Sequence, residues 1–574
     1  MNAQHREGVV QQNLWRVHQL KLPLDHSDAD LEALLCRRLR LAPAQLRRWQ
    51  LVRRSVDARR RTAIQIVYSV DVELDAAPAL HGRLARLAAK DTHLQPTPDT
   101  RYRPPLLPLD PAGLPQATQP PPLVVGAGPC GYFAALLLAQ MGLRPVLLER
   151  GRDVKSRTAD TFGFWRGTRP FDPESNAQFG EGGAGTFSDG KLYSQVSEPP
   201  AYQRKVLEEL VASGANPEIL TLHHPHIGTF KLATVVRGLR SRIEALGGTV
   251  RFESRVVRLL LDPSDRRITG VQLASGEQIA SCHVLLAPGH SARDLFESLE
   301  QQGVALEAKP FAMGVRIEHP QALIDRARWG PAAGHPRLGP AEYKLVHHCS
   351  GEGLAGRSVW SFCMCPGGLV VGATSEAGMV VTNGMSQHSR NERNANSGLV
   401  VNISLADLEP YAARPGDPLA GVAFQRHWEG RAFALAGASY AAPSQNVAAF
   451  LGEASHTTDP VPASYQPGVS ESDLAECLPD FVVAALREAL PAFERRLPGY
   501  VSGGARLTAV ETRTSSPLRI PRDPLTLESL NTPGLFPAGE GAGYAGGILS
   551  AAIDGIKVAE KVALALCPQR AISP

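Results

Sequence analysis

Two glycine-rich segments, far apart in the chain, have residue types that suit phosphate binding. The first is Gly126-Ala127-Gly128-Pro129-Cys130-Gly131, and the second runs from Gly534 to Ile548. Glycine lets backbone N–H groups approach a phosphate without an intervening side chain, and the first segment has the G-x-G-x-x-G spacing of a dinucleotide-binding turn. We therefore expect one long cofactor to be held at both of its ends.

The residues around the first segment predict a strand, a turn and a helix. Leu123-Val124-Val125 is a short apolar run typical of a buried parallel strand, and Tyr132–Met141 suits a helix. In such a unit Gly126 permits the tight turn, Gly128 allows close approach to a pyrophosphate, and Gly131 lets the helix pack on the strand. The helix N-terminus adds N–H donors and the positive end of its dipole. These features predict a dinucleotide site.

A carboxylate follows the next predicted strand. Val146-Leu147-Leu148 ends in Glu149, at the distance from the first glycine where such sites carry an acidic residue. We expect Glu149 to accept hydrogen bonds from both ribose hydroxyls, which favours a free 2′-hydroxyl over a 2′-phosphate. Arg150, next in the chain, is also predicted to contact the cofactor.

The second segment favours FAD over a nicotinamide dinucleotide. Gly534–Ala538 is expected to form a strand that ends at Gly539 and Glu540, and Ile548–Leu566 a helix. This order resembles the last FAD motif of glutathione-reductase-type flavoproteins, whose FAD site is assembled from both ends of the chain. The resemblance implies that Glu540 bonds the ribityl chain. It also implies that the helix N-terminus meets the flavin at Gly546, Gly547 and Ile548.

Segments between these two ends extend the same resemblance. Gly248–Leu259 is a β-rich run, and the resemblance implies that its Val256 lies beside the adenine. His283–Gly289 is a further strand and turn, which implies that Gly289 lies beside the pyrophosphate.

The run Asn176–Lys191 combines many glycines with Ser, Thr and Asp. Such composition implies backbone donors and close approach to a ligand, so we expect Gly183 to lie near the pyrophosphate and the flavin edge. Phe179 and Phe187 would be costly to expose to water. The run is therefore predicted to be buried rather than a mobile surface loop.

Longer strings carry a narrower resemblance, to a bacterial family of predicted FAD-dependent dehydrogenases with a small N-terminal domain. The strings are Asn176–Lys191, Phe362–Gly368, Thr382–Ser386, Glu511–Pro517 and Gly534–Ile548. The resemblance implies an α/β protein with a Rossmann-type FAD-binding domain, an inserted antiparallel β-sheet substrate domain and a small N-terminal α/β module. It implies a FAD-dependent oxidoreductase that exchanges a hydride with a small organic molecule, but it does not name that substrate.

The catalytic residues are less well indicated by the sequence. Arg513 and Arg519 flank a Ser-Ser-Pro turn, and either could bind a substrate carboxylate or make a structural ion pair. His347, His348 and Asn383 are further candidates, although a histidine on a cavity strand can equally be a packed residue.

Eight cysteines are scattered along the chain without a C-x-x-C pair, which indicates reduced thiols and excludes the usual dithiol oxidoreductase. Cys363 and Cys365 are two apart, so on a regular strand both would face the same side. They could face a substrate cavity or a metal, or only pack, and two ligands do not make a zinc site. We therefore predict no metal centre.

Composition and the positions of proline and glycine divide the chain into five predicted parts. We expect a small α/β module at 1–93 with strands Leu14–Leu24 and Ile64–Leu74 around the helix Ala29–Arg40. A proline-rich linker is predicted at 94–122. The remaining parts are the first FAD-binding segment at 123–305, the inserted substrate domain at 306–505, and the second FAD-binding segment at 506–574.

Partners other than the small-molecule substrate are left open. A second G-x-G-x-x-G unit is missing, which argues against a dedicated NAD(P)H domain but permits transient contact with NAD(P)H. No apolar run is long enough to span a bilayer, and we expect a cytoplasmic protein. Ten arginines lie between Arg37 and Arg61. They are either a solvated face or the basis of an alternative function, flavin-dependent RNA modification or RNA binding.

Overall fold

The computed structural model describes residues 14–75, 78–106, 120–193, 198–453, 461–501 and 504–570. In this part of the chain no helix combines the length and the apolar character that crossing a membrane requires. The architecture is mixed α/β, with a Rossmann-type domain at its centre, as predicted.

The N-terminal module is a four-stranded antiparallel sheet covered by two helices. Its elements in chain order are β1 (Leu14–Pro23), α1 (Asp28–Leu39), β2 (Leu46–Asp57), β3 (Gln65–Leu74), α2 (Pro78–Ala88) and β4 (Leu94–Pro96). The sheet order β2-β3-β1-β4 is that of a split β-α-β unit. Alternate residues of β3 are buried, and they pack with Leu31, Leu35 and Leu39 of α1. The predicted α/β sandwich is confirmed.

The start of the predicted linker belongs to this module. β4 pairs with β1, with Trp15 opposite Pro96 and Val17 opposite Leu94, so the sheet continues past residue 93. Residues 107–119, which hold much of the predicted proline-rich linker, lie outside the described residues.

A five-stranded parallel sheet, in the order β23-β11-β5-β6-β7, forms the centre of the molecule. Its strands are β5 (Leu123–Val125), β6 (Val146–Leu148), β7 (Thr249–Arg251), β11 (Val284–Leu286) and β23 (Leu535–Pro537). The helices of this domain are α3 (Pro129–Gln140), α4 (Val154–Trp165), α5 (Pro200–Ala212), α6 (Thr229–Ala245), α7 (Arg293–Gln301) and α12 (Ile548–Leu566). An antiparallel sheet is added by β8 (Val256–Leu261), β9 (Ile268–Leu273) and β10 (Gln278–Ala280). Because β23 comes from the end of the chain, both chain ends are needed to build the central sheet.

The inserted domain is built on a seven-stranded sheet, in the order β14-β15-β18-β13-β21-β19-β20. Its strands are β13 (Phe311–Pro320), β14 (Val346–His348), β15 (Ser358–Cys365), β18 (Asn394–Ile403), β19 (Ala442–Asn446), β20 (Val469–Glu471) and β21 (Arg506–Glu511). Neighbouring strands are antiparallel except β19 and β20. Two small sheets pair β12 (Glu307–Ala308) with β22 (Leu518–Arg519), and β16 (Gly368–Gly372) with β17 (Thr382–Ser386). The helices are α8 (Gln321–Trp329), α9 (Ala420–Leu435), α10 (Val447–Phe450) and α11 (Asp480–Arg496).

The seven-stranded sheet crosses one predicted boundary. β21 begins at Arg506, within the segment assigned to the FAD-binding domain, but it pairs with β13 of the insertion. The order of strands also differs from the sequence order, because β18 lies between β13 and β15. The limits of the five parts otherwise stay a prediction.

The two helices that begin at the glycine-rich segments cross at a glycine. A Cβ atom at Gly555 of α12 would lie 2.2 Å from the carbonyl oxygen of Cys130 at the start of α3. Cys130 is buried, and burial raises the pKa of its thiol well above the usual range, so the thiol packs rather than reacts. A side chain at Gly555 would therefore push the two helices apart.

We predict that Gly555→Ala destabilises the protein by about 1–3 kcal/mol, the usual cost of overpacking a close contact. Gly430→Ala in α9 is the matched control, because its Cβ would meet only the Met379 sulfur at an ordinary 3.7 Å. The control should be neutral or slightly stabilising, since alanine favours a helix. Thermal unfolding of the two variants measures this, and equal melting temperatures would contradict a tight crossing.

Candidate functional site

The first glycine turn leaves space for a ligand at one of its three glycines. A Cβ at Gly126 would lie 2.3 Å from the Ala287 carbonyl oxygen, and a Cβ at Gly131 would lie 1.8 Å from that of Gly126. Both glycines are therefore required by the fold itself. A Cβ at Gly128 would meet nothing closer than Gly183, at 3.9 Å. No described side chain caps α3 at Gly128, so its first N–H groups are available to a phosphate.

Glu149 is already a hydrogen-bond acceptor for three backbone N–H groups. Its carboxylate accepts from Ala127 at 2.8 Å, Gly151 at 2.9 Å and Gly180 at 2.9 Å. A carboxylate has about four acceptor positions, so one is left for a ribose hydroxyl rather than two. Glu149 therefore also fixes the glycine turn and the loop at Gly180.

Arg150 is held in place by two acidic residues. Its guanidinium bonds Glu174 at 2.9 and 3.0 Å and Asp294 at 2.9 Å, and it stacks 3.9 Å above the Phe179 ring. Val256, the first residue of β8, is buried close by in the cavity wall. Both residues border the cavity, and their contact with a cofactor stays a prediction.

The run Asn176–Lys191 is largely buried, and Phe179 and Phe187 are both in the core, as predicted. Its shape is set by Arg157 of α4, a residue that the sequence did not single out. The Arg157 side chain is fully buried and donates to the carbonyl oxygens of Asn176, Gly180, Glu181 and Gly183. A Cβ at Gly180 would lie 2.4 Å from the Arg157 side chain, so only glycine fits there.

The C-terminal segment faces the same space from the opposite side. Gly539 has a φ of 71°, and a Cβ at Gly541 would lie 2.6 Å from the Gly289 carbonyl oxygen. Gly546 and Gly547 border the cavity with open space beside them, and α12 begins there without a capping side chain among the described residues. Two helix N-termini, those of α3 and α12, thus border one cavity.

His290 and Glu540 lie together in this wall. The His290 Nδ1 atom is 3.0 Å from Glu540 Oε1, but the orientation makes no hydrogen bond. Both ring nitrogens are buried without a hydrogen-bond partner among the described residues. Buried polar atoms are normally satisfied, so this histidine is suited to a polar group of a bound cofactor.

These elements surround a cavity of about 2410 Å³. All the predicted cofactor residues line it except Gly131, which packs α3 on the sheet: Gly126, Gly128, Glu149, Arg150, Gly183, Val256, Gly289, Gly539, Glu540, Gly546, Gly547 and Ile548. Small-molecule pockets commonly measure about 300–1,000 Å³. The cavity therefore has room for a dinucleotide and for a substrate beside it, and its open glycines and unpartnered histidine fit FAD.

The predicted substrate side holds a buried cation. Lys191 lies 3.9 Å from Asp189 and 3.7 Å from Glu342, and its ammonium group donates to the Met364 carbonyl oxygen. Burial alone would lower the pKa of Lys191, but Glu342 and Asp189 outweigh burial and raise it. Asp189 is also paired with Arg390. Lys191 is therefore a permanent positive charge on the cavity wall.

Asn383 and Cys363 border the cavity beside a second buried cation. Arg316 of β13 is fully buried and pairs with Glu511 at 2.6 and 2.8 Å. Its remaining N–H groups donate to Asn383 Oδ1 at 2.8 Å and to the Cys363 carbonyl oxygen at 3.0 Å. Burial raises the pKa of Glu511 to about 7 despite this pairing. Asn383 is thus positioned by Arg316 at the cavity wall.

Arg513 lines the cavity but belongs to an ion-pair network. It bonds Glu429 at 3.0 and 3.2 Å, Ser291 at 2.7 Å and Ser375 at 2.5 Å. Glu429 is fully buried and also pairs with Arg293 at 2.8 Å. The contacts of Arg513 are those of a structural ion pair, one of the two possibilities for this residue.

The structure does not bring the other candidates to the cavity. Arg519 is exposed on β22, with its guanidinium 5.3 Å from the Tyr544 ring. His347 bonds Glu488 at 2.9 Å, and His348 bonds Ser358 at 2.8 Å, both away from the cavity lining. His347, Cys349 and Glu488 have ligand atoms within 4.8 Å of one another, but Glu488 already accepts from Ser350 and Gly351.

The N-terminal module closes one side of the cavity with strand β2. Residues 52–59 line it, and the edge of β2 bonds the central domain, with the Arg54 N–H donating to Thr221 at 2.7 Å. The Arg53 guanidinium lies 2.6 Å from His223 Nδ1. Burial and the charge of Arg53 lower the pKa of His223 to about 4, so this imidazole is neutral near pH 7.

The arginines of this module are distributed over several elements. Arg38, Arg47 and Arg59 pair with acidic residues of the module at 2.5–2.6 Å: Asp91, Asp75 and Asp57. Arg53 and Arg54 instead face the cavity. The RNA-binding alternative stays a prediction.

Among the site residues that the sequence reading missed are Arg157, His290, Arg316 and Arg390. Arg316 had a usable signal, because a charged residue in the middle of the apolar strand Phe311–Ile317 must be buried and paired. No sequence signal pointed to Arg157 or Arg390, since each bonds residues that are not its neighbours in the sequence.

Comparison with known proteins gives a family for the chain. A family model described as "FAD-dependent protein, C-terminal domain-like" matches residues 310–514, and a model described as a domain of unknown function matches residues 15–73. A protein of Clostridium beijerinckii, described as uncharacterized, is 42% identical over 551 residues, which cover 95% of this chain and 98% of that protein.

Solved structures show a weaker likeness. The structure of CtdE in complex with FAD is 12% identical with a TM-score of 0.30, and the match covers 79% of this chain and 92% of that one. A geranylgeranyl bacteriochlorophyll reductase-like protein of Thermoplasma acidophilum is 13% identical with a TM-score of 0.32, over 78% and 80% of the two chains. Nothing about this chain follows from TM-scores of this size.

We predict that Gly128→Val gives a folded protein without bound flavin. The backbone at Gly128, with φ −77° and ψ −178°, is open to valine, and the added methyl groups would occupy only the space expected for the phosphates. Flavin absorbance after purification and circular dichroism measure the two properties. Gly82→Ala, in α2 with open space around it, is the control that should stay yellow. A yellow Gly128→Val protein would sink the assignment.

We also predict that Glu429→Gln lowers the free energy of unfolding by an amount that depends on pH. Burial alone would raise the pKa of Glu429, but Arg293 and Arg513 hold it at about 2. A carboxyl with a folded-state pKa below its unfolded value of about 4.3 adds stability above that pH, and this stability is lost as the pH falls toward 2. Breaking such a buried pair costs about 3–5 kcal/mol at neutral pH.

The measurement is the melting temperature of the wild-type protein and of the Glu429→Gln variant between pH 7 and pH 3. The difference should narrow below about pH 4.3, where Glu429 of the unfolded wild-type chain begins to be protonated, and it should continue to narrow toward pH 2, where the folded protein takes up the same proton. Glu208→Gln, which removes the exposed pair of Glu208 with Arg204, should change stability by less than about 1 kcal/mol. A difference that is constant with pH would contradict the role of the Glu429 charge.

Proposed function

The chain belongs to a family of FAD-dependent proteins, with FAD as its cofactor, and we propose that it transfers a hydride between FAD and a small anionic organic substrate. The family supports a FAD-dependent oxidoreductase in general. The hydride step and the anionic substrate are our proposal. Bound FAD supplies a two-electron acceptor or donor.

The observation that carries the proposal is the charge of the cavity wall. Among the described residues, twelve arginine and lysine side chains line the cavity, against five carboxylates. Four of these cations, Arg16, Arg150, Arg255 and Arg513, pair with carboxylates that do not line the cavity. Part of the remaining positive charge suits the pyrophosphate of the cofactor. The cations on the side of the inserted sheet and the N-terminal module favour a substrate with its own carboxylate or phosphate.

Lys191 has a specific role in the proposed function, which is to bind the anionic substrate. Since its pKa is raised by Glu342 and Asp189, against burial, Lys191 cannot act as a general base near pH 7. A fixed ammonium can instead bind an anionic group and stabilise negative charge that develops during the reaction. Asn383, oriented by Arg316, can add a hydrogen bond to the same substrate.

Anaerobic mixing of the yellow protein with organic donors tests the proposal. The donors are a panel of carboxylates, neutral polyenes, NADH and NADPH, and the readout is bleaching of the flavin absorbance. We expect a carboxylate to bleach the flavin and higher ionic strength to slow the reaction. Rapid bleaching by a nicotinamide would instead make NAD(P)H the donor of a reductase. Bleaching by neutral polyenes alone would contradict the anionic substrate.

We predict that Lys191→Met slows reduction by the active anionic donor about 10²-fold, the usual effect of removing one charge-stabilising group. Lys344→Met is the matched control, because Lys344 is an exposed lysine at the edge of the same cavity. Both variants should retain FAD, which absorbance verifies. Equal rates for the two variants would contradict the role of Lys191.

A further inference from the structure

The cavity wall holds a pair of cysteines that the proposed hydride transfer does not use. Cys363 lines the cavity and is partly exposed, whereas Cys365 is fully buried directly behind it. The Cys365 thiol donates to the Cys363 carbonyl oxygen at 3.3 Å, so the Cys365 sulfur lies against the backbone of Cys363. One thiol therefore faces the ligand space and the other supports it.

A local break in β15 produces this arrangement. Cys363 has a φ of 44°, in the left-handed region that residues other than glycine rarely adopt, and the pairing of β15 with β18 shifts register between Phe362 and Cys365. A backbone of this kind costs free energy and is concentrated at functional sites. The break allows the partly exposed Cys363 to border the cavity.

Two permanent cations flank the exposed thiol. Arg316 Nη1 donates to the Cys363 carbonyl oxygen at 3.0 Å, and Lys191 Nζ donates to the carbonyl oxygen of Met364, the next residue. The Cys365 sulfur and the Arg316 side chain both pack closely against Gly384, because a Cβ there would lie 2.9 Å from the sulfur and 2.5 Å from Arg316 Nη1. The acids near this cluster are themselves paired: Glu511 with Arg316, and Asp189 and Glu342 with Arg390.

These surroundings favour the thiolate form of Cys363. The hydrogen bond from Cys365 lowers the pKa of Cys363 most, burial raises it, and Arg316 and Lys191 lower it further, to about 6. The hydrogen bond to Cys363 and burial raise the pKa of Cys365 well above the usual range. A partly exposed thiolate in an electropositive site is the typical setting of a reactive cysteine.

We propose that Cys363 and Cys365 form a redox-active thiol pair that reduces small organic disulfides entering the cavity. The Cys363 thiolate attacks one sulfur of the disulfide, the S–S bond breaks, and one thiolate leaves and takes a proton from water. Cys365 then loses its proton to water and attacks the Cys363 sulfur, and the bond between Cys363 and the substrate sulfur breaks. The second thiolate leaves and takes a proton from water. Two electrons pass from the cysteine pair, which becomes a disulfide, to the substrate, which becomes two thiols.

This activity requires no hydride transfer from FAD, because both electrons come from the two cysteines. The first test is alkylation of the intact, FAD-loaded protein by iodoacetamide between pH 4 and pH 9. Mass spectrometry follows each cysteine separately, and the exposed Cys282 serves as the internal reference for the reagent. We expect Cys363 to react with a midpoint near pH 6, well below the value of about 8.5 for a free cysteine. A Cys363 midpoint at or above 8.5 would overturn the proposal.

The second test uses 4,4′-dithiodipyridine as the disulfide, with Cys282→Ser as the background. The parent should rapidly release two equivalents of thiopyridone for each chain and form a Cys363–Cys365 bond. The Cys365→Ser variant should release one equivalent of thiopyridone and retain a mixed disulfide at Cys363. The pH midpoint for alkylation of Cys363 should also rise in this variant. Cys363→Ser should lack the rapid phase while retaining FAD and the parental melting temperature. A Cys365→Ser variant that still releases two equivalents would remove Cys365 as the resolving thiol.

Discussion

Close contact between backbones that are distant in the sequence is the constraint on which the cofactor site depends. At Gly126, Gly131 and Gly541 a Cβ atom would lie 1.8–2.6 Å from a backbone carbonyl oxygen. Two of these contacts involve the segment Ala287–Gly289, so three parts of the chain meet there. Because the last strand of the central sheet and the helix α12 come from the C-terminal end, the cavity is complete only when both chain ends are folded.

The insertion is held over this cavity by buried ion pairs. Glu429 of α9 joins Arg293 of α7 and Arg513, and Asp189 of the glycine-rich loop joins Arg390 of the insertion. Each of these carboxylates is fully buried, so separating the insertion from the central domain would leave charges without partners. Such pairs add little net stability over apolar packing, but they penalise any other relative position of the two parts.

Local signals in the sequence predicted most of the residues proposed to hold the cofactor, although they missed His290 and Arg157. The turn Gly126–Gly131, the carboxylate Glu149 and the segment Gly539–Ile548 each have a spacing that elementary backbone geometry explains. The substrate half could not be predicted in this way. Its wall is made where β15, β17 and the glycine-rich loop meet, and the decisive contacts of Arg316 with Cys363, Asn383 and Glu511 span up to 195 residues. On a regular strand the side chains of Cys363 and Cys365 would face the same side, but the left-handed backbone at Cys363 interrupts this alternation.

Lys191 connects the two halves. It ends the glycine-rich run whose backbone shapes the cofactor side, and its ammonium group reaches the carbonyl oxygen of Met364 between the two cysteines. The same charge therefore acts on an anionic substrate and on the Cys363 thiolate. An anion bound at Lys191 would compete with the thiolate for this charge, which raises the pKa of Cys363. Substrate binding and thiol reactivity are thus expected to oppose each other through one side chain.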